Sequence, residues 1–99
     1  MPSIGDKTNA LGELNPGKVK VKTTTTVVIA ENLQRQGLEV VNGSSQPVYL
    51  YPGKAAVEGE GMYLAANGGS WNGIIGGMVW TGAVNGIAKE EVTIQVVEV

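Results

Sequence analysis

Any catalysis in this chain would have to come from carboxylates. Of the nine Asp and Glu residues, only Glu58 with Glu60 and Glu90 with Glu91 are clustered, and a pair of carboxyl groups is the least that glycoside hydrolysis requires. Both pairs fall in segments that read as loops, beside Gly or Lys, where solvated charges are the ordinary occupants. Composition closes the other routes. With no His and no Cys, neither a Ser/His/Asp nor a Cys/His nucleophile can be assembled, and the commonest general base and zinc ligand are missing. The chain has no Gly-x-Ser-x-Gly elbow, no phosphate loop ending in Gly-Lys-Ser/Thr, and no spaced Asp/Asn ligands of a calcium loop. The residues predict a non-enzymatic protein with no catalytic, metal or cofactor site.

Binding is better represented. The aromatic residues are Tyr49, Tyr51, Tyr63, Trp71 and Trp80, with no Phe, so every ring carries a polar handle suited to a surface that is apolar on one side and wet on the other. In Pro47-Val48-Tyr49-Leu50-Tyr51, alternation sends Val48 and Leu50 inward and sets Tyr49 and Tyr51 together on the opposite, contact-ready face. Trp71 and Trp80 have three roles open to them: core packing, contact with a partner surface, or stacking on a sugar ring. Lys18, Lys20 and Lys22 share one face of a strand, where they either guard an exposed edge against pairing with other chains or present a basic stripe to an acidic partner.

These residues need a scaffold, and the 99-residue length allows one domain. Residues 1–17 read as an arm, because Pro2, Gly5, Gly12, Pro16 and Gly17 break any period while Ile4, Leu11 and Leu14 supply apolar anchors for a partner's surface. Residues 18–99 read as the folded domain. It opens with a run from Lys18 to Ala30 that alternates in its first half and is rich in β-branched residues throughout, which reads as one long strand with a bend. Leu38 and Val40 mark the next strand, Asn42-Gly43 a tight reversal, Val48 and Leu50 the returning strand, and Met62-Tyr63-Leu64 a short one. Val92, Ile94 and Val96 close the chain in alternation with Thr93 and Gln95. Seven or eight short strands with Gly-rich turns and no amphipathic helix predict an all-β fold, an antiparallel β-sandwich or small jelly-roll-like barrel with an extended N-terminal arm.

A net charge of -2 and a pI near 5.0 argue against a nucleic-acid partner, which would demand many phosphate contacts. No apolar run approaches membrane-span length, and the N-terminus lacks the regions of a secretory signal. A soluble protein made in the cytoplasm is expected.

From Thr23 onward the order of segments carries a resemblance. Thr23-Thr24-Thr25-Thr26-Val27-Val28-Ile29-Ala30-Glu31-Asn32 is followed by Arg35-Gln36-Gly37-Leu38-Glu39-Val40-Val41-Asn42 and Gln46-Pro47-Val48-Tyr49-Leu50. Gly61-Met62-Tyr63-Leu64-Ala65-Ala66-Asn67-Gly68-Gly69-Ser70 and Trp80-Thr81-Gly82-Ala83-Val84-Asn85-Gly86-Ile87-Ala88 then precede the last strand. This order, over about three quarters of the chain, resembles small tailed-phage virion proteins: head decoration or cement proteins and related head-fibre and spike components. Residues 1–17 and the stretch 73–77 have no counterpart in it. The resemblance implies a structural protein on the outer capsid surface of the virion, bound to the major capsid protein and bridging capsomers, often as a homotrimer. In that setting Ile4, Leu11 and Leu14 would be the capsid-contact arm, and Lys18, Lys20, Lys22, Tyr49, Tyr51, Trp71 and Trp80 would face the capsid or a sister subunit. The alternative is a head-fibre or tail-associated module that recognises a host-surface glycan through Trp71, Trp80 or the Tyr49/Tyr51 face.

Overall fold

A computed structural model of the chain describes residues 15–99, and among them there are strands, turns and loops but no helix. The strands are β1 (Asn15–Val21), β2 (Thr26–Ile29), β3 (Leu38–Asn42), β4 (Val48–Pro52), β5 (Met62–Leu64), β6 (Gly69–Trp71), β7 (Ile74–Ile75), β8 (Met78–Val79), β9 (Val84–Ala88) and β10 (Val92–Glu98). Two four-stranded sheets form a sandwich. One has the order β2-β9-β4-β5 and is called here the tyrosine sheet; the other, β1-β10-β3-β6, is the lysine sheet. β7 and β8 form a separate two-stranded ribbon, and every pairing is antiparallel.

The period-2 pattern builds the core directly. Val28, Val48, Leu50, Leu64 and Val84 from the tyrosine sheet meet Val21, Leu38, Val40, Ile94 and Val96 from the lysine sheet, and all are buried. Removing such side chains from water at about 25 cal/mol per Å² is the main stabilising term. The all-β antiparallel sandwich is the fold that the alternation predicts.

Four local expectations are corrected. The strand expected from Lys18 begins at Asn15, with Asn15, Pro16 and Gly17 paired to Glu98, Val97 and Val96. Pro16 is accommodated because β1 is an edge strand, where a missing backbone N–H costs no ladder bond on the open side. The run from Lys18 to Ala30 is two strands in different sheets, divided at residues 22–25. Thr26 Oγ1 accepts from the Lys22 amide at 3.1 Å and donates to the Thr24 carbonyl at 2.9 Å, so a threonine hydroxyl turns the chain where propensity alone reads on. The Asn42-Gly43 segment carries the chain from one sheet to the other and is no hairpin, since β3 and β4 are in opposite sheets. The strand count is ten, above the seven or eight expected, because the Gly-rich stretch after Trp71 contributes the β7-β8 ribbon.

That ribbon is closed by Gly76 and Gly77, both at positive φ (61° and 83°), the backbone of a two-residue hairpin turn whose twist suits antiparallel strands. Its base is fixed by Gly73. At φ +77°, a Cβ on this residue would lie 2.7 Å from Leu38 Cβ and 2.9 Å from the Leu38 carbonyl oxygen. Gly73→Ala is therefore expected to lose about 2 kcal/mol through backbone strain and collision, read as a lower urea midpoint with an unchanged slope.

Candidate functional site

One end of the sandwich gathers the loop after β2, the start of β3, the end of β10 and the base of the ribbon. A single side chain ties them together. Arg35, whose side chain is 0% exposed, donates from Nε to Glu98 Oε2 at 2.8 Å, from Nη1 to the carbonyls of Trp80 (2.8 Å) and Gly82 (3.1 Å), and from Nη2 to the Ala30 carbonyl at 2.7 Å. Asn32 Nδ2 adds a second donor to Glu98 Oε2 at 2.8 Å. A guanidinium can serve four acceptors in one plane because its N–H groups form a rigid fork. Backbone bonds complete the clasp: the Asn32 amide to Thr81, the Trp80 amide to Gly73, and the Gln36 amide to the Val99 carbonyl.

This braced pole exposes apolar side chains among the exposed Glu31, Gln34 and Gln36. Among the described residues, five of the eight large hydrophobic side chains that remain exposed belong to it: Leu33 (71%), Ile74, Ile75, Met78 (73%) and Val99. Leu33 sits on the turn beside Arg35, Val99 closes on Gly37, and the ribbon extends past Leu38 from β6. β1 begins at the same pole, since Asn15 pairs with Glu98 and Glu98 with Leu38.

The outer side of the tyrosine sheet is the second surface. None of its four strands carries a charged residue. Ile87, Tyr49 and Tyr63 form one cross-strand row, and Val27, Asn85 and Tyr51 the next. The Tyr49 and Tyr63 rings lie 5.4 Å apart at centroids, tilted by 57°. The loop of residues 53–61 is tied to this side at two points, with Val27 left exposed: Asn85 Nδ2 donates to the Lys54 carbonyl at 2.6 Å, and the Ala56 amide donates to Thr25 Oγ1 at 2.8 Å. Ala56 of this loop is buried, while Tyr63 stays 58% exposed. Tyr49 and Tyr51 share a face as alternation predicts, but the ring that joins Tyr49 is Tyr63, brought in by the β4-β5 register.

The remaining candidates separate. Lys18 and Lys20 stand on the outer face of the edge strand β1, opposite Gln95 and Thr93, and Lys22 follows in the next loop; all three are exposed. Their position on an edge strand is the one that edge protection requires. Trp71 and Trp80 are partly buried against the core. Trp71 Nε1 donates to the Ile74 carbonyl at 3.2 Å and Trp80 Nε1 to the Ala83 carbonyl at 3.0 Å, so both indoles serve the base of the ribbon and the start of β9. Ile4, Leu11 and Leu14 lie outside the described residues. Glu58, Glu60, Glu90 and Glu91 are all exposed, and among the described residues no group of three or more His, Cys, Asp or Glu side chains could hold a metal ion. No helix of the described residues is long and apolar enough to cross a membrane.

Sequence reasoning passed over two features. Arg35 is the only arginine, every other basic residue being lysine, and that exception is the signal for a fork-shaped donor. Residues 61–88 contain no charged side chain, a run that supplies the ribbon and two strands of the tyrosine sheet. Comparison of the chain with family models, with curated proteins and with solved structures found no match.

Proposed function

We propose that the protein is a non-enzymatic structural module of a tailed-phage virion that seats its apolar pole on the outer capsid surface. The partner is the major capsid protein, and copies gather as trimers that bridge neighbouring capsomers. The observation that carries this reading is the collection of Leu33, Ile74, Ile75, Met78 and Val99 at one end, because grouped exposed apolar side chains mark a surface that a partner covers. The Arg35 clasp holds that end in one conformation, which lowers the ordering cost of docking. The segment with Ile4, Leu11 and Leu14 joins the fold at the same pole, through β1. Several weak contacts per trimer hold an assembly that none would hold alone.

Co-sedimentation with capsids stripped of accessory proteins tests the reading. The full chain is expected to bind at a saturating, fixed copy number, and a Leu33→Glu/Met78→Glu variant to bind at least about tenfold more weakly, since each buried charge costs more than 1 kcal/mol. Both positions are exposed, so the variant should melt close to the parent. Equal binding by parent and variant would remove the pole from the account.

A further inference from the structure

We infer that Asn72 is a site of spontaneous main-chain modification, where the Gly73 amide nitrogen attacks the Asn72 side chain and leaves aspartate or isoaspartate at the base of the ribbon. The chemistry is local to the chain and independent of the capsid reading.

The sequence offers this reaction four times. Asn42, Asn67, Asn72 and Asn85 each precede a glycine, the residue that leaves the attacking backbone nitrogen least hindered. That nitrogen bonds to the asparagine Cγ, the bond from Cγ to Nδ2 breaks, and ammonia departs with the proton that the backbone amide gives up. Water then opens the resulting succinimide ring at either carbonyl. One opening gives aspartate; the other gives isoaspartate, whose main chain runs through Cβ and Cγ. No enzyme, oxidant or cofactor is required.

The fold closes three of the four sites. Asn42 is buried, with both ends of its amide engaged. Asn67 is exposed, but the Gly68 amide that would attack it is already donated to the Asn42 carbonyl at 2.7 Å. Asn85 lies in β9, between β2 and β4, with its Nδ2 held on the Lys54 carbonyl at 2.6 Å. A ring at that position would break the ladder.

Asn72 has none of these restraints. It is exposed and outside the strands, and among the described residues neither its Nδ2 nor the Gly73 amide donates to an acceptor. Its one hydrogen bond favours the reaction: the Ile74 amide donates to Asn72 Oδ1 at 3.1 Å. A bond to the residue two places on folds the side chain back over the Gly73 peptide and turns Cγ towards the attacking nitrogen. The same N–H sits on the oxygen that gains negative charge as the nitrogen adds, which is the task of an oxyanion hole. Gly73 is buried against Leu38, but both ring carbonyls that water attacks belong to the exposed Asn72.

The product cannot keep the present ribbon base. Isoaspartate lengthens the main chain where the Trp80 amide is held on the Gly73 carbonyl at 2.8 Å and Trp71 Nε1 on the Ile74 carbonyl at 3.2 Å. Gly73 has no room to shift towards Leu38. Either product also places a carboxylate in residues 61–88, which carry no charge, just ahead of the exposed Ile74 and Ile75.

The test ages the full chain in mildly alkaline buffer, folded and, in parallel, unfolded in guanidinium chloride. Trypsin then releases residues 36–54, with Asn42, and residues 55–89, with the other three. Electron-transfer fragmentation assigns amide-to-acid conversion and isoaspartate to each position. In the folded chain, position 72 is expected to convert at least about tenfold faster than positions 42, 67 and 85, with isoaspartate among its products. In guanidinium chloride the four should react at similar rates. The ¹⁵N spectrum of the aged folded chain should gain a second set of peaks for residues 71–80, and Asn72→Gln should gain none. The inference is overturned if position 72 converts no faster than another of the four in the folded chain. It is equally overturned if folding slows position 72 by about tenfold or more, because the fold then protects it too. Aspartate without isoaspartate would also overturn it, since direct hydrolysis and not attack by the Gly73 nitrogen would then be the route.

Discussion

Arg35→Ala is expected to lower the unfolding free energy by about 3–5 kcal/mol, the usual cost of breaking a buried ion pair from one side. The substitution leaves the partly exposed Glu98 carboxylate with Asn32 as its remaining side-chain donor and removes the donor from the carbonyls of Ala30, Trp80 and Gly82 together. A domain of this length holds about 5–15 kcal/mol in total, so the loss is a large share of it. At about 4–8 °C per kcal/mol, thermal unfolding followed by circular dichroism should fall by well over about 10 °C. Arg35→Lys should recover little, because one ammonium group cannot span four acceptors set around a planar fork. A loss under about 1 kcal/mol for Arg35→Ala would show that water replaces the guanidinium without penalty, and the pole would not be braced as described.

The second large effect is at Asn42, which is 0% exposed. Its Nδ2 donates to the carbonyls of Gln46 (2.8 Å), Leu64 (3.1 Å) and Ala65 (3.3 Å), and its Oδ1 accepts from the Ser44 amide and hydroxyl at 3.0 and 2.7 Å. One amide thus stitches the crossing between the sheets to the end of β5. Asn42→Leu keeps the size and orphans both sets, for an expected loss of about 2–4 kcal/mol. Asn42→Asp puts a carboxylate oxygen against the three carbonyls and should lose more at pH 7. Burial and those oxygens raise the introduced carboxyl's folded pKa above its unfolded value near 4. Between the two values the folded state holds the extra proton, so the stability of this variant should rise as the pH falls from 7 towards about 4. Urea unfolding at several pH values reads both effects. A stability of Asn42→Asp that stays flat over that range would contradict the assigned orientation of the amide.

The strands were legible because a half-buried strand writes its burial into every second residue. Val48 and Leu50 point inward, Tyr49 and Tyr51 outward, and Ile94 and Val96 inward as the alternation requires. The sandwich follows from that pattern alone. Where a polar side chain overrides the backbone, the pattern is silent. Thr26 turns a run that is β-branched throughout, and Asn42 reads as a turn residue although its amide is a buried junction. Arg35 reads as a surface charge because hydrophobic periodicity has no symbol for a satisfied buried cation. The candidate surfaces were half legible. Tyr49 was visible from its strand, but its neighbour Tyr63 depends on register between β4 and β5, a non-local fact. The apolar pole was invisible for the same reason: Leu33, Met78 and Val99 are far apart in sequence and come to one end of the fold only once the strands are paired.

The most direct measurement of the central claim is site-specific photocrosslinking on capsids. A benzophenone side chain would be placed at Met78 on the pole, at Gln95 on the outer face of the lysine sheet, and at Tyr63 on the outer face of the tyrosine sheet. Met78 alone is predicted to give an abundant adduct with the major capsid protein. An adduct of equal yield from Gln95, or none from Met78 while the protein is bound, would contradict attachment through the apolar pole.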